Sequence, residues 1–350
     1  AYLRPVLNRP NLFVFTSTFA QRILFNSRKK AVGVLVDNNC TITAKKEVIL
    51  SAGSVQSPQL LLVSGVGLAK LLKPLSIPVV ADRPGVGQNL KDQFATFVTY
   101  QVNPLTGTEL SINPPYLRNA IAQFNKNGSG PLASPGGDLY STELIPSSLR
   151  SGYSLPTGRT WARPHVGYAA FPSMGEGVPA IPIDPTGNYA SVLVILQAVS
   201  STGYVSISSA NMSDPPLINP NTLGDGADLQ ILLASIKRMR ASFASSALAP
   251  VLIGSEVLPG ASFQTDDEIV SYLRRTTFSM SHGFATCKMG KPSDPMAVVV
   301  DTHGSVYGVK NLRVIDGSAF PFLPPGPSPQ TQVYMLAEKL AQDIKDTIRY

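Results

Sequence analysis

Apolar and polar residues alternate through the first fifty positions in the manner of strands. The runs Asn11–Thr16, Phe19–Phe25, Ala31–Val36 and Thr41–Leu50 are separated by turn residues at Asn26-Ser27 and Asp37-Asn38-Asn39. The last strand breaks at Ala52-Gly53-Ser54, and Ser57-Pro58 opens the apolar run Leu60–Val63. Proline suits a first helical turn, where its missing N–H would have had no partner. The pattern therefore predicts strand, glycine turn and short helix, closing at Ser64-Gly65-Val66-Gly67, with a second short helix over Leu68–Leu75.

From about Asp92 to Pro220 the chain turns rich in Pro, Gly and Ser, and strand-like pieces stand out at Phe94–Val102, His165–Phe171, Ala190–Ala198 and Gly203–Ser208. Apolar residues at helical spacing follow, with Leu229, Leu232, Leu233, Ile236 and Met239 on one face, predicting a long amphipathic helix over Asp225–Ala249. Strands are expected again at Ala297–Asp301 and Leu312–Ile315, and a last helix over Thr331–Ile348.

At 350 residues, 43% hydrophobic and 15% charged, the chain can bury a large core as one large or two medium domains. No apolar run approaches the roughly 18 residues of a membrane span. The net charge is +7, but the basic residues are scattered, with no stripe interleaved with aromatics, which argues against nucleic-acid binding. Two distant cysteines, Cys40 and Cys287, and three histidines offer no metal-ligand spacing, so no metal is expected. Sequons at Asn39, Asn127 and Asn211 favour a secretory-pathway origin, secreted or vesicular. The start, Ala1-Tyr2-Leu3-Arg4-Pro5, has no charged leader region and reads as an interior cut.

With histidine this rare, His282 draws notice, because imidazole titrates near neutral pH and can take or give a proton at one site. A single histidine is more often a hydrogen-bonded structural residue than a catalyst, so its surroundings decide.

Four blocks occur in order: Gly53-Ser54-x-x-Ser57-Pro58-x-Leu60-Leu61-x-x-Ser64-Gly65-Val66-Gly67; Gly85-Val86-Gly87-Gln88-Asn89-Leu90-x-Asp92; His282-x-x-x-Thr286-x-x-Met289-Gly290; and Val306-x-Gly308-x-x-Asn311-Leu312-Arg313-Val314-x-Asp316-x-Ser318-x-x-Pro321. Together they resemble the glucose-methanol-choline (GMC) flavin oxidoreductases from the first residue to the last. The resemblance implies an α/β fold with α+β elements. Residues 1–92 and 281–350 would form part of an FAD-binding domain, and residues 93–280 a substrate-binding domain on an antiparallel sheet with helices. The family's N-terminal βαβ unit with its Gly-rich dinucleotide loop is absent. Gly85-Val86-Gly87 follows Arg83-Pro84 rather than a strand and lacks a third glycine, so it is not that loop. An N-terminal fragment of the same protein, carrying the loop, is the expected partner, beside a small-molecule substrate.

Several flavin-site residues follow from the resemblance. Ala52 and Gly53 would let the backbone approach FAD, or else form a plain strand-to-helix turn. Ala20 occupies a position whose backbone meets the adenine. Asp316 and Gly317 lie where the family contacts the ribityl and pyrophosphate region; equally, Asp316 would cap the turn after a strand. Pro329 and Gln330 fall in the same cofactor region of the proline-rich tail. His282 aligns with the histidine over the flavin ring that removes a hydroxyl proton while hydride passes to the cofactor. Ala285 stands where a glycine is usual.

Downstream of the turn from Phe320, the family's second His or Asn is replaced by Ser328, and no His or Asn lies between Pro321 and Tyr350. Serine can donate or accept a hydrogen bond but is no base near neutral pH. Gln330 or Gln332 would supply a polar contact or simply open a helix. His303 reads as a turn residue, and His165 would face substrate or solvent. The expectation is an FAD-dependent enzyme oxidising an alcohol of an aromatic or polyketide-derived metabolite, with His282 as base and Ser328 beside it. The alternative is a redox-neutral cyclase, dehydratase or hydroxynitrile-lyase type in which His282 does acid/base chemistry and FAD is structural.

Overall fold

The computed structural model describes residues 2–134, 136–137, 139–146, 166–171, 186–294, 298–326 and 328–348. An antiparallel meander comes first, β1 (Ala20–Phe25), β2 (Ala31–Val36) and β3 (Cys40–Thr43). Its first turn is closed by the Asn26 side-chain oxygen, which accepts from the N–H groups of Arg28 and Lys30. The expected strand over Thr41–Leu50 is two. After exposed Lys45 and Lys46 the chain leaves the meander, and β4 (Val48–Leu50) pairs in parallel with a strand from the other end of the sequence. Asn11–Thr16 forms no strand: Phe13, Val14 and Phe15 are exposed and no ladder forms beside them among the described residues.

Helix α1 (Gly53–Val63) begins four residues before Ser57, which leaves Pro58 inside it. An interior proline strips the carbonyl four residues earlier of its donor. That carbonyl is Ser54 O, and the hydroxyl of Thr286 donates to it at 2.7 Å instead. The buried end of α1, Leu60–Val63, packs into the core, and Ser64 locks it to β1 by accepting from the N–H of Ile23 at 2.8 Å. Beyond it come β5 (Val66–Gly67), α2 (Ala69–Leu72) and β6 (Ala81–Asp82). The loop Gly85-Val86-Gly87 opens no helix; a Cβ on Gly87 would stand 2.1 Å from the Val205 carbonyl oxygen, so its glycine serves close packing.

The next section builds a six-stranded antiparallel sheet from strands far apart in sequence. In chain order the elements are β7 (Phe94–Val102), α3 (Thr108–Ile112), α4 (Pro114–Asn127), β8 (Leu139–Glu143), β9 (Val166–Phe171), β10 (Tyr189–Leu196), β11 (Tyr204–Ser206), β12 (Leu217–Asn219), α5 (Gly226–Phe243), β13 (Leu252–Leu258), α6 (Asp266–Thr276) and β14 (Phe278–Ser279). The sheet order is β13-β7-β10-β9-β8, with β14 also on the β7 edge, while β11 and β12 form a separate ribbon. Alternation assigns the two faces. Phe94, Val98, Tyr168, Val194 and Leu196 face a core with α5 and α6, whereas Ala95, Phe97, Ala169, Leu193 and Ile195 face Leu258, Phe278 and Met280. Helix α5 starts where its Asp225 cap accepts from the Ala227 N–H, and ends at Phe243 rather than Ala249, where Ser and Ala replace the apolar stripe. His165, the first residue of an expected strand, lies outside the described residues.

The chain then returns along the seam between two cores. Phe284, Phe320 and Leu323 belong to the core under the large sheet, and Cys287, Val299 and Ala319 to the core around α1. Across that seam Ala285, Cys287 and Met289 donate to the carbonyls of Gly317, Ser318 and Ala319. Of the expected strand at Ala297–Asp301, Ala297 lies outside the described residues, and Val300 makes only isolated bridges, to Met289 and Val306. β15 (Leu312–Val314) is the parallel partner of β4, and α7 (Gln330–Ile348) closes the chain. No helix among the described residues is long and apolar enough to cross a membrane.

Candidate active site

His282 sits at the apex of a bulge. On one side Met280 N–H donates to Gln93 O; on the other, Lys91 and Phe284 exchange both backbone hydrogen bonds. One residue, Asp92, thus opposes three, Ser281, His282 and Gly283, and the surplus lifts His282 off the ladder. Asp92 fills the gap: its carboxylate accepts from the His282 N–H at 2.9 Å and from the Ser279 hydroxyl, which itself accepts from the Ser281 N–H. Ser281 takes φ +58°, the left-handed turn that the bulge requires.

The imidazole is half-buried. Its Nδ1 lies 2.7 Å from Gln93 Oε1, and Gln93 Nε2 donates to the carbonyl of Gly326 at 2.8 Å. Burial holds the imidazole below its ordinary pKa, opposed in part by the charge of Asp92. Burial raises the Asp92 carboxyl, while the Ser279 and His282 hydrogen bonds pull it back. His282 is therefore neutral at neutral pH, which is the state of a base. Asp92 and Gln93 were not anticipated as site residues; Asp92 closes a recognisable block, but nothing in the sequence says that its neighbour meets a histidine so far along the chain.

A second junction ties β4 and α1 to the turn after β15. Asp316 Oδ2 accepts from the Gly53 N–H at 2.9 Å and from the Ser57 hydroxyl at 2.5 Å. Its Oδ1 accepts from the N–H and hydroxyl of Ser318. Ser57 also accepts from the Ala52 N–H at 3.0 Å. The Asp316 carboxylate is thus spent inside the protein as the cap of its own turn and of α1. Gly317 packs tightly, since a Cβ there would lie 3.2 Å from Ser54 Oγ. The junction is bound to the histidine bulge, because Ser54 Oγ–H donates to Gly283 O at 2.5 Å.

Gly53 has φ +80°, and no atom lies within 4 Å of where its Cβ would project. With exposed Ala52 beside it, this leaves bare backbone open at a strand-to-helix turn. Such a cradle fits a ring lying against main chain, and Ala52 and Gly53 are the residues that would hold FAD there, whereas the Cβ side of Gly317 is taken up by Ser54, Gly283 and Phe284. Ala20 opens β1, half-buried, where Asp37 accepts from the adjacent Phe19 N–H at 2.7 Å.

Ser328 is exposed, and its hydroxyl lies 3.4 Å from the Gln330 N–H, at the first turn of α7. Among the described residues it shares no hydrogen bond with His282. Pro329 offers its carbonyl to the Val333 N–H, and Gln330 is exposed at the start of α7. Gln332 instead donates to Pro325 O, bracing the turn. His303 lies elsewhere, exposed, against Asp343. Ala285 takes φ +69°, the backbone state that explains a glycine at that place. No group of three or more His, Cys, Asp or Glu side chains suited to a metal occurs among the described residues.

Two family descriptions, both GMC oxidoreductase, match the chain, the N-terminal one over residues 1–95 and the C-terminal one over residues 199–337. The chain is 50% identical to the glucose-methanol-choline family oxidoreductase mfmG of Annulohypoxylon moriforme, across 99% of this chain and 58% of that protein. It is 45% identical to patulin synthase of Aspergillus clavatus, across 98% of this chain and 56% of that protein. The solved FAD-dependent oxidoreductase from Chaetomium thermophilum matches it with a TM-score of 0.83 at 29% identity, covering 99% of this chain and 63% of that one. The chain thus spans a little over half the length of the curated relatives it matches.

Proposed function

Because the chain belongs to the GMC oxidoreductase family, whose cofactor is FAD, we propose that it oxidises an alcohol group of an aromatic or polyketide-derived metabolite, with His282 as the base. The observation that carries this is the double anchoring of His282, by Asp92 at its backbone and Gln93 at Nδ1, which leaves Nε2 for a substrate proton. FAD, when bound, supplies the hydride acceptor. His282 takes the hydroxyl proton through Nε2, and its depressed pKa keeps that nitrogen unprotonated at neutral pH. Asp92 holds the bulge in place and stabilises the imidazolium once the proton has arrived. Ser328, at the start of α7, enters as a neutral hydrogen-bonding group for the substrate oxygen.

Support for a small metabolite as substrate comes from the relative named patulin synthase. A segment carrying the dinucleotide loop completes the FAD site as the partner, and the exposed sequon residues Asn127 and Asn211 suit passage through the secretory pathway. The test mixes full-length enzyme with candidate alcohols without oxygen and follows the visible band of the oxidised flavin. Bleaching at the rate of product formation is expected. Product formed with the band intact would overturn the proposal in favour of redox-neutral acid/base chemistry at the same histidine.

A further inference from the structure

The Gly326 carbonyl, the Gln93 amide and the His282 ring form a chain in which each hydrogen bond dictates the next. Gly326 O can only accept, so the atom of Gln93 that faces it at 2.8 Å must be the amide nitrogen. The other amide atom, Oε1, then faces His282 Nδ1 at 2.7 Å. Oε1 too can only accept, so Nδ1 must carry a proton. A neutral imidazole holds one ring proton, and its Nε2 is therefore left as a bare lone pair.

The amide has no easy way to turn over. Gln93 is 2% exposed, so water does not compete for either end. Its main chain adjoins the first residue of β7, and its own carbonyl accepts from Met280 N–H, which holds the stem in place. Flipping the amide would set two oxygens against each other at Gly326, a loss that a change of tautomer at His282 does not repay, so the Gly326 carbonyl is what fixes the amide.

We propose that Gln93 is a positioning residue that locks His282 in the Nδ1–H tautomer and does so by reference to the Gly326 carbonyl in the proline-rich turn. Proton traffic is then confined to Nε2, because Nδ1–H stays bonded to Gln93 whether the ring is neutral or charged. The turn before α7 becomes part of the catalytic apparatus without touching substrate: a shift at Gly326 frees the amide and with it the tautomer. The inference rests on His282 being the base of the proposed reaction, but its geometry is measurable without turnover.

The test is nitrogen NMR of full-length holoenzyme labelled at the histidine ring nitrogens, with the His282 signals taken as those lost in His282→Ala. At pH above the imidazole pKa, Nδ1 is expected in the protonated range and Nε2 in the unprotonated range. Gln93→Met, which removes the acceptor, should move population to the Nε2–H tautomer and lower kcat/KM by about tenfold or more, in the direction of the loss seen when a catalytic histidine is left in the wrong tautomer. Gln93→Glu keeps an oxygen toward His282 and, protonated on the other, a donor to Gly326 O, so it should retain Nδ1–H and more of kcat/KM than the Met variant. A wild-type His282 protonated at Nε2, or Met and Glu variants alike in tautomer and in kcat/KM, would overturn the inference. Full turnover in His282→Ala would instead remove the base assignment and leave the tautomer result standing, so the two failures are distinguishable.

Discussion

The carboxylate of Asp92 accepts from the backbone N–H of His282 at 2.9 Å, and this bond across the bulge holds the main chain that carries the imidazole, while Gln93 orients the ring. Asn at position 92 can still accept from that N–H through Oδ1 while turning its NH2 toward the Ser279 hydroxyl, which has a lone pair to offer. Asp92→Asn should therefore hold the fold to within about 1 kcal/mol, since it also removes a buried charge, whereas Asp92→Ala orphans the His282 N–H at a cost of about 1–3 kcal/mol. Urea midpoints of the two variants against wild type measure the difference; equal losses would mean that the charge, not the acceptor, holds the bulge.

Asp316 is expected to behave in the opposite way. Each of its oxygens accepts from two donors, Gly53 N–H and Ser57 O–H on one side and the Ser318 N–H and O–H on the other. An asparagine must turn its NH2 against one of these pairs whichever way it is placed. Asp316→Asn should thus be nearly as harmful as Asp316→Ala, each losing about 2–3 kcal/mol, and FAD content at purification should fall with it because Gly53 is displaced. An Asn variant of wild-type stability and flavin content would show that the carboxylate is replaceable.

Pro58 and Thr286 are coupled through one carbonyl of α1, that of Ser54, which the proline leaves without a helical donor and the threonine hydroxyl serves. Thr286→Val leaves the Ser54 carbonyl without a donor, at a cost of about 1–3 kcal/mol. Pro58→Ala restores an N–H in place to serve that carbonyl, so the double variant should regain about 1 kcal/mol of the loss. A denaturant double-mutant cycle reads the coupling directly, and strict additivity would disprove the substitution of one donor for the other.

These pairings mark where the sequence was legible and where it was not. The strand-like pieces Phe94–Val102 and Ala190–Ala198 announce β7 and β10, the latter running Tyr189–Leu196, and the stripe from Leu229 to Met239 announces α5, because local periodicity follows directly from which face is buried. The signal for α6 was also local, a capping box from Thr265 to Glu268, but it stands among Gly, Ser and charged residues with only a short apolar stripe behind it. The site is different in kind. His282 was visible through its block, yet the atoms that orient it come from Gln93, 189 residues away, and the partners of Asp316 from α1, 259 residues away. No period or spacing encodes such contacts; they exist only once β7 and β15 have brought the chain ends together. Resemblance pointed to Asp316 beside the flavin, while its carboxylate is occupied by the protein itself.

His282 and Ser328 should separate sharply in kinetics. Removing a general base costs about a hundred- to ten-thousandfold in rate, so His282→Ala should fall in that range in kcat/KM. Ser328 is exposed and offers a single neutral hydrogen bond, so Ser328→Ala should lose about two- to tenfold at most. Steady-state rates of the full-length enzyme on one alcohol decide it; losses of similar size would place Ser328 on a par with the base.

The pH dependence follows from the two shifted groups, which act with opposite sign on stability. Burial holds the His282 imidazole below the ordinary value of about 6.5, so kcat/KM should stay level through neutrality and decline as pH falls below that value. Removing the Asp92 charge, as in Asp92→Asn, takes away the one influence raising that pKa and should move the acidic limb lower still. In stability, the unfolded chain protonates this histidine near 6.5 while the native protein lags, so its contribution is full above that pH and is lost as pH falls toward the folded value. Asp92, whose carboxyl is raised by burial, works the other way: the native protein takes its proton first, which adds stability as pH falls toward the ordinary carboxylate range. Urea midpoints between pH 7 and pH 5.5 should therefore drop less in His282→Gln than in wild type, because the group whose protonation lags in the native protein is gone. A wild-type acidic limb above about 6.5, or a midpoint curve unchanged by His282→Gln, would mean that the imidazole is not held neutral by burial.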